Sequence, residues 1–253
     1  MPCTGRFTTG AALAGFAPVK ADVRRLMLRK LLAAVGFGAA TAGALAQPPY
    51  APYQSSAANE IYNLLFCDDP AAFTPRPGQS PVPWQVALFS EPVDRSALSA
   101  LAGDASQEGR VRYLAYTRLR ELGQPVQAKV LLGVIVEVPL AGGLDVLAAF
   151  SEGGVRYVNQ SGKLAVFEGV AAIQPFVQRL FAASEPVVAR IGPWEQPRRA
   201  PPKQGAVRLT FLVSDGLYFG EGPMVEMQRE AMAGPVIQRA TDLLQTVVPM
   251  ATK

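Results

Sequence analysis

The sequence predicts an α+β fold: an antiparallel β-meander sheet with helices packed on one face, plus a C-terminal β-hairpin and helix. Three observations predict it. Four apolar runs, "AKVLLGVIVEVPL", "LDVLAAF", "VRYVN" and "KLAVFE", are separated only by "AGG", "SEGG" and "QSG". Joints that short force antiparallel neighbours, because a parallel crossover takes a dozen residues or more. Downstream, Ile173, Phe176, Val177, Leu180 and Phe181 recur at the i, i+3, i+4, i+7, i+8 spacing of one helical stripe. Finally, "AVRLTFLVSDGLYFGEG" places two strand-like runs around Ser214-Asp215-Gly216, the pattern of a hairpin. With 253 residues, 49% of them hydrophobic, the chain can bury a sizeable core.

The elements follow in order. Residues 1–46 read as an export signal, with cleavage before Gln47. Residues 47–83 are a Pro-rich lead-in with one short helix, "EIYNLLFC", which Asn59 caps and which presents Ile61, Leu64 and Leu65 on one face. Asp68-Asp69-Pro70 ends it, since the residue before proline avoids the α region. The four prolines of "TPRPGQSPVP" exclude a regular element. The α+β domain spans 84–192. It opens on "WQVALF", read as a strand. "RSALSALAG" follows as a helix with Asp94 as N-cap and Gly103 as its stop. Residues 107–123 form an amphipathic helix, and the meander follows. Its long first strand is apolar for most of its length, which places it centrally and under cover. The helix over 170–192 is kinked or ended by Pro186. Residues 193–205, "PWEQPRRAPPKQG", read as a Pro-rich linker. Residues 206–253 supply the hairpin and a C-terminal helix divided at Gly234-Pro235, packed on the same domain.

Charge is unevenly placed. The chain has 24 basic and 20 acidic residues, a net of +4. Residues 1–46 hold Arg6, Lys20, Arg24, Arg25, Arg29 and Lys30 against Asp22 alone, which leaves 18 and 19, a net of −1, for the remainder. Nothing beyond the N-terminus creates the basic field that nucleic acid requires. Within "MLRKLLAAVGFGAATAGALAQ", Arg29 and Lys30 precede a mildly apolar run, and Ala44-Leu45-Ala46 is an A-x-A cleavage signal. "VRRLMLRK" resembles the twin-arginine export signal: Arg24, Arg25, Leu28 and Arg29 fit, whereas Val23 and Met27 depart from the usual Ser and Phe. If translation begins at Met27, an ordinary Sec signal remains. Either route implies a bacterial-type protein, periplasmic or secreted, with no stable transmembrane segment after cleavage.

The chemistry available is narrow. The chain has no histidine, which removes the usual general base of Ser and Cys hydrolases and the commonest zinc ligand. Cleavage discards Cys3, leaving Cys67 without an internal partner. Asp68 and Asp69 beside it disfavour a thiolate, so Cys67 reads as a packed side chain. Asn159-Gln160-Ser161-Gly162-Lys163 reads as a hairpin corner, with Gly162 at positive φ. Val155 and Tyr157 share one face there and Arg156 and Val158 the other, so a one-residue slip would bury Arg156. "YFGEGP" reads as an ordinary connection between a strand and a helix start. Glu137, Asp145, Glu152 and Glu168 lie on the meander, where Glu137 and Glu168 could face each other across the sheet. Ser161-x-Lys163 and Ser214 are fragments of a Ser/Lys site. The expectation is an exported, non-catalytic binding or envelope-associated protein, its partner a protein or small molecule of the cell envelope. No cofactor or metal is expected, and no catalytic residue is identified. The alternative is an exported hydrolase using carboxylates or Ser/Lys without histidine.

Overall fold

A computed structural model describes residues 49–251, which form one compact unit. The expected signal, its arginine pair, Cys3 and the cleavage position before Gln47 lie outside the described residues. The strands are β1 (Leu131–Leu140), β2 (Gly143–Phe150), β3 (Val155–Val158), β4 (Leu164–Phe167), β5 (Ala206–Val213) and β6 (Gly216–Pro223). They form one antiparallel sheet in the order β4-β3-β2-β1-β5-β6. The meander and the C-terminal hairpin therefore share a sheet, joined where β5 pairs with β1. As its apolar length requires, β1 is central.

The helices are α1 (Ser56–Leu64), α2 (Pro83–Phe89), α3 (Arg95–Gly103), α4 (Gly109–Glu121), α5 (Gln174–Arg190), α6 (Met224–Arg229) and α7 (Ala233–Ala251). Register sorts the sheet into two faces. Glu137 pairs with Val146 and Arg208, and Arg208 with Glu221, so these side chains share one face with Ile135 and Ala148. Tyr62, Leu98, Leu114 and Leu119 from α1, α3 and α4 build a core on that face with Ile135, Val146 and Phe150. The sequence reading put helices on one face. The opposite side chains, Val134, Val136, Leu209 and Phe211, are buried as well, and α5 lies against β1 and packs with α7. A strand as apolar as β1 needs cover on both sides.

Three local expectations are corrected. "WQVALF" is the helix α2, not a strand. Pro83 occupies its first turn, and the Val82 N–H donates to Gln85 Oε1 at 3.1 Å, a start that favours helix. Six residues, five of them apolar, do not by themselves separate the two states. The first helix begins earlier than expected: Ser55 caps it, accepting from the Ala58 N–H at 3.3 Å. Asn59 lies inside the helix and clamps Tyr53, accepting from its N–H and donating to its C=O, both at 2.8 Å. Tyr62 thereby joins Ala58 and Leu65 on the buried face, while Ile61 and Leu64 are only half-buried. The C-terminal break falls at 230–232 rather than at Gly234-Pro235. There the Glu230 carboxylate accepts from the N–H groups of Met232 (2.7 Å) and Ala233 (2.6 Å), and Pro235 sits in the tolerant first turn of α7. Pro186 stays within α5. Asp94 caps α3 as expected, accepting from Ser96 and Ala97 at 2.9 and 3.0 Å.

Candidate functional site

Four pieces of chain converge on a buried polar network. α1 carries Tyr62, with Asp68 just beyond its end. β1 carries Glu137, and the β5–β6 pair carries Arg208 and Glu221. The segment 193–205 brings Arg198. The Tyr62 hydroxyl donates to Glu137 Oε1 at 2.7 Å and accepts from Arg198 Nη1 at 3.1 Å. Arg198 Nε reaches Asp68 Oδ2 at 2.6 Å and Nη2 reaches Asn63 Oδ1 at 3.1 Å. Its guanidinium lies 3.9 Å from the Phe66 ring centre, 4.8 Å from Tyr50 and 5.2 Å from Tyr62, a cation held among aromatic faces. Across the sheet, Arg208 binds Glu221 through Nε (2.8 Å) and Nη2 (2.5 Å) and lies 3.7 Å from Glu137 Oε2. It also donates to the carbonyls of Arg199 and Ala200 at 3.0 and 2.6 Å.

Glu137 is fully buried. Burial pushes its carboxyl above the usual range, while Arg208 and the Tyr62 hydroxyl pull it back. The Tyr62 phenol is pushed well above its ordinary range, first by burial and then by Glu137. A carboxylate shut away from solvent cannot exchange protons with a ligand at the surface. What the geometry does is fasten α1 and the segment 193–205 to the sheet. That segment, read as a linker, is thus part of the packed domain at Arg198.

The sequence candidates scatter. Asp68 and Glu137 join the network through Arg198 and Tyr62. Asp69 instead caps the 3-10 turn Pro70–Phe73, accepting from Ala71 at 3.0 Å. Glu168 follows β4, three strands from β1, and pairs with Arg156 at 2.5 Å; it does not face Glu137. Arg156 shares a face with Val158, as alternation requires, but it is already buried, with Glu108 3.7 Å away. A register slip would therefore expose its ion pair rather than bury a solvated side chain. Asp145 accepts from the Tyr157 hydroxyl (3.0 Å) and the Gln160 N–H (2.6 Å). Glu152 accepts from the Gly109 N–H at 2.8 Å.

The loop 159–163 is the corner between β3 and β4. Asn159 Oδ1 accepts from Ser161 N–H (3.0 Å), Ser161 Oγ (2.8 Å) and Lys163 N–H (3.0 Å), and Gly162 has φ +80°. Ser161 and Lys163 are exposed. Ser214 is buried, its Oγ accepting from the Val130 N–H at 3.0 Å. "YFGEGP" belongs to β6, so Glu221 is a strand residue facing Arg208 rather than part of a connection. The Cys67 thiol is buried, and burial pushes it far above the thiol range, with Arg110 pulling down and Glu108 and Asp68 adding to the rise. Such a thiol is a poor nucleophile. Among the described residues no group of His, Cys, Asp and Glu could hold a metal ion.

An open cleft lies elsewhere, between the 3-10 turn, α2 and α4. It encloses about 340 Å³. Pro70, Leu88, Phe89 and Leu114 line its apolar part, and Glu91, Arg118 and Glu121 line its rim. Arg118 lies 3.6 Å from Glu91 and 3.3 Å from Glu121. The sequence reading misses this cleft, because "WQVALF" reads as a strand whereas α2 forms one wall. It also misses Tyr62, Arg198 and Arg208. No family model matches the chain, and comparison with curated proteins and with solved structures finds no match.

Proposed function

We propose that this is an exported protein, periplasmic or secreted, that binds a ligand without transforming it, at the cleft between the 3-10 turn Pro70–Phe73, α2 and α4. The cleft carries the reading: it is an apolar concavity of about 340 Å³ with a few polar groups at one rim, the usual form of a small-ligand site. Two further features support it. The meander carboxylates are each engaged by an arginine, a tyrosine or a backbone N–H, and the two at the cleft, Glu91 and Glu121, are exposed and share the Arg118 guanidinium, whereas a carboxylate hydrolase sets one carboxyl in an apolar surrounding that keeps it protonated. The N-terminal signal with Ala44-Leu45-Ala46 supports export.

The test has two arms. N-terminal sequencing of protein from the periplasmic or culture fraction should find Gln47 first; recovery of full-length chain in the cytoplasm alone overturns export. For the cleft, the neutral dye Nile red is titrated into the wild type and Ala71→Trp, whose exposed side chain projects at the cleft wall. Dye binding should be lost in the variant with urea stability unchanged. Equal binding by both proteins would remove the cleft as the site.

A further inference from the structure

We infer that the cleft takes a small organic cation, an ammonium group on an aromatic or aliphatic body, an inference that rests on reading the cleft as the ligand site. Its apolar part and its rim ask for different halves of one molecule. Leu88, Phe89 and Leu114 offer apolar surface for a hydrocarbon body. The rim carries two carboxylates, Glu91 and Glu121, against one guanidinium, Arg118, a net charge of −1.

Hydrogen-bonding capacity points the same way. Arg118 Nη2 faces Glu91 Oε1 and Nη1 faces Glu121 Oε2, so the second oxygen of each carboxylate lies outside those contacts. The Thr74 hydroxyl already donates to the Ala71 carbonyl at 2.7 Å, and Thr117 Oγ1 accepts from Arg120 at 2.9 Å. Two carboxylates face one guanidinium, so carboxylate oxygens remain in surplus at the rim as acceptors. An ammonium brings three donors and no acceptor, which matches that surplus. An anion would meet two like charges and one guanidinium that is already shared.

The experiment displaces Nile red from the wild type with three ligands of one shape: 2-phenylethylammonium, 2-phenylethanol and 3-phenylpropanoate. The ammonium should displace the dye at a concentration at least about threefold lower than the alcohol, as expected for exposed charge pairs, with the carboxylate weakest. Raising NaCl to 1 M should shrink the difference, because exposed charges are then screened. The double variant Glu91→Gln/Glu121→Gln should keep Nile red affinity and lose the preference. Equal potency of ammonium and alcohol, a better carboxylate, or a preference that survives the double substitution overturns the cation. Failure of Ala71→Trp to block the dye overturns the cleft itself, so the two results separate.

Discussion

Glu137→Gln probes the centre of the buried network through the pH dependence of stability. Burial raises the Glu137 carboxyl above its ordinary 4.5, against the opposing pull of Arg208 and Tyr62. Between 4.5 and the raised value the folded protein holds a proton that the unfolded chain has lost. The stability this group confers is thus fully present below pH 4.5 and is lost as pH rises through the folded value. One proton sets the ceiling: the slope cannot exceed about 1.4 kcal/mol per pH unit. The assay window is clean, because a chain with no histidine has no imidazole titrating between pH 5 and 8. Gln keeps an acceptor for the Tyr62 hydroxyl, and Arg208 keeps Glu221 and two backbone carbonyls. Urea unfolding across pH 5–9 should show wild-type stability falling toward alkaline pH and a flatter curve for Glu137→Gln. A residual slope of the same sign is expected from Asp68 and Glu152, which burial also raises. Parallel curves for the two proteins would refute the assignment of this linkage to Glu137.

Two backbone predictions follow from close approaches. Gly109→Ala places a Cβ 2.1 Å from the Leu132 carbonyl oxygen and 3.2 Å from the Ser151 nitrogen, neither of which can rotate away; urea unfolding should show a loss of about 2–3 kcal/mol. Gly162→Val combines φ +80° with a Cβ 3.0 Å from that of Ala58 and should cost about 1–3 kcal/mol, whereas the exposed Lys163→Ala should stay within about 0.5 kcal/mol in the same assay.

Where the chain speaks locally, the sequence could be read. The meander, its corners and the terminal hairpin stand as expected, because strand period, short joints and Gly162 are properties of neighbouring residues. The Asp94 cap is equally local. The cleft was not readable, since one of its walls is α2. "WQVALF" lacks a period long enough to declare itself, and Gln85 acts on Val82 only once the helix has begun. Ser55 displaced Asn59 as the cap for a similar reason: both are good N-caps by type, and the choice was settled by Asn59 clamping Tyr53.

The network posed a different difficulty. Glu137 stands alone among the apolar residues of β1, and Arg208 is the one charged side chain of β5. Opposite charges set singly into two apolar strands are a pairing signal, because neither is tolerated in a buried face without the other. Short-joint logic never compares them: Glu137 and Arg208 lie far apart in sequence, on strands with other elements between them, while the register sets them directly opposite each other. Arg198 was hidden by composition. A Pro-rich segment lacks regular hydrogen bonding and so reads as a linker. Backbone irregularity and side-chain burial are independent properties, as Arg198 shows by inserting between Tyr50, Tyr62 and Phe66 from a segment with no regular structure. Removing it would leave Asp68 without its cation and the Tyr62 hydroxyl without the donor it accepts from, so the segment 193–205 is held in place by the polar network that its own arginine completes.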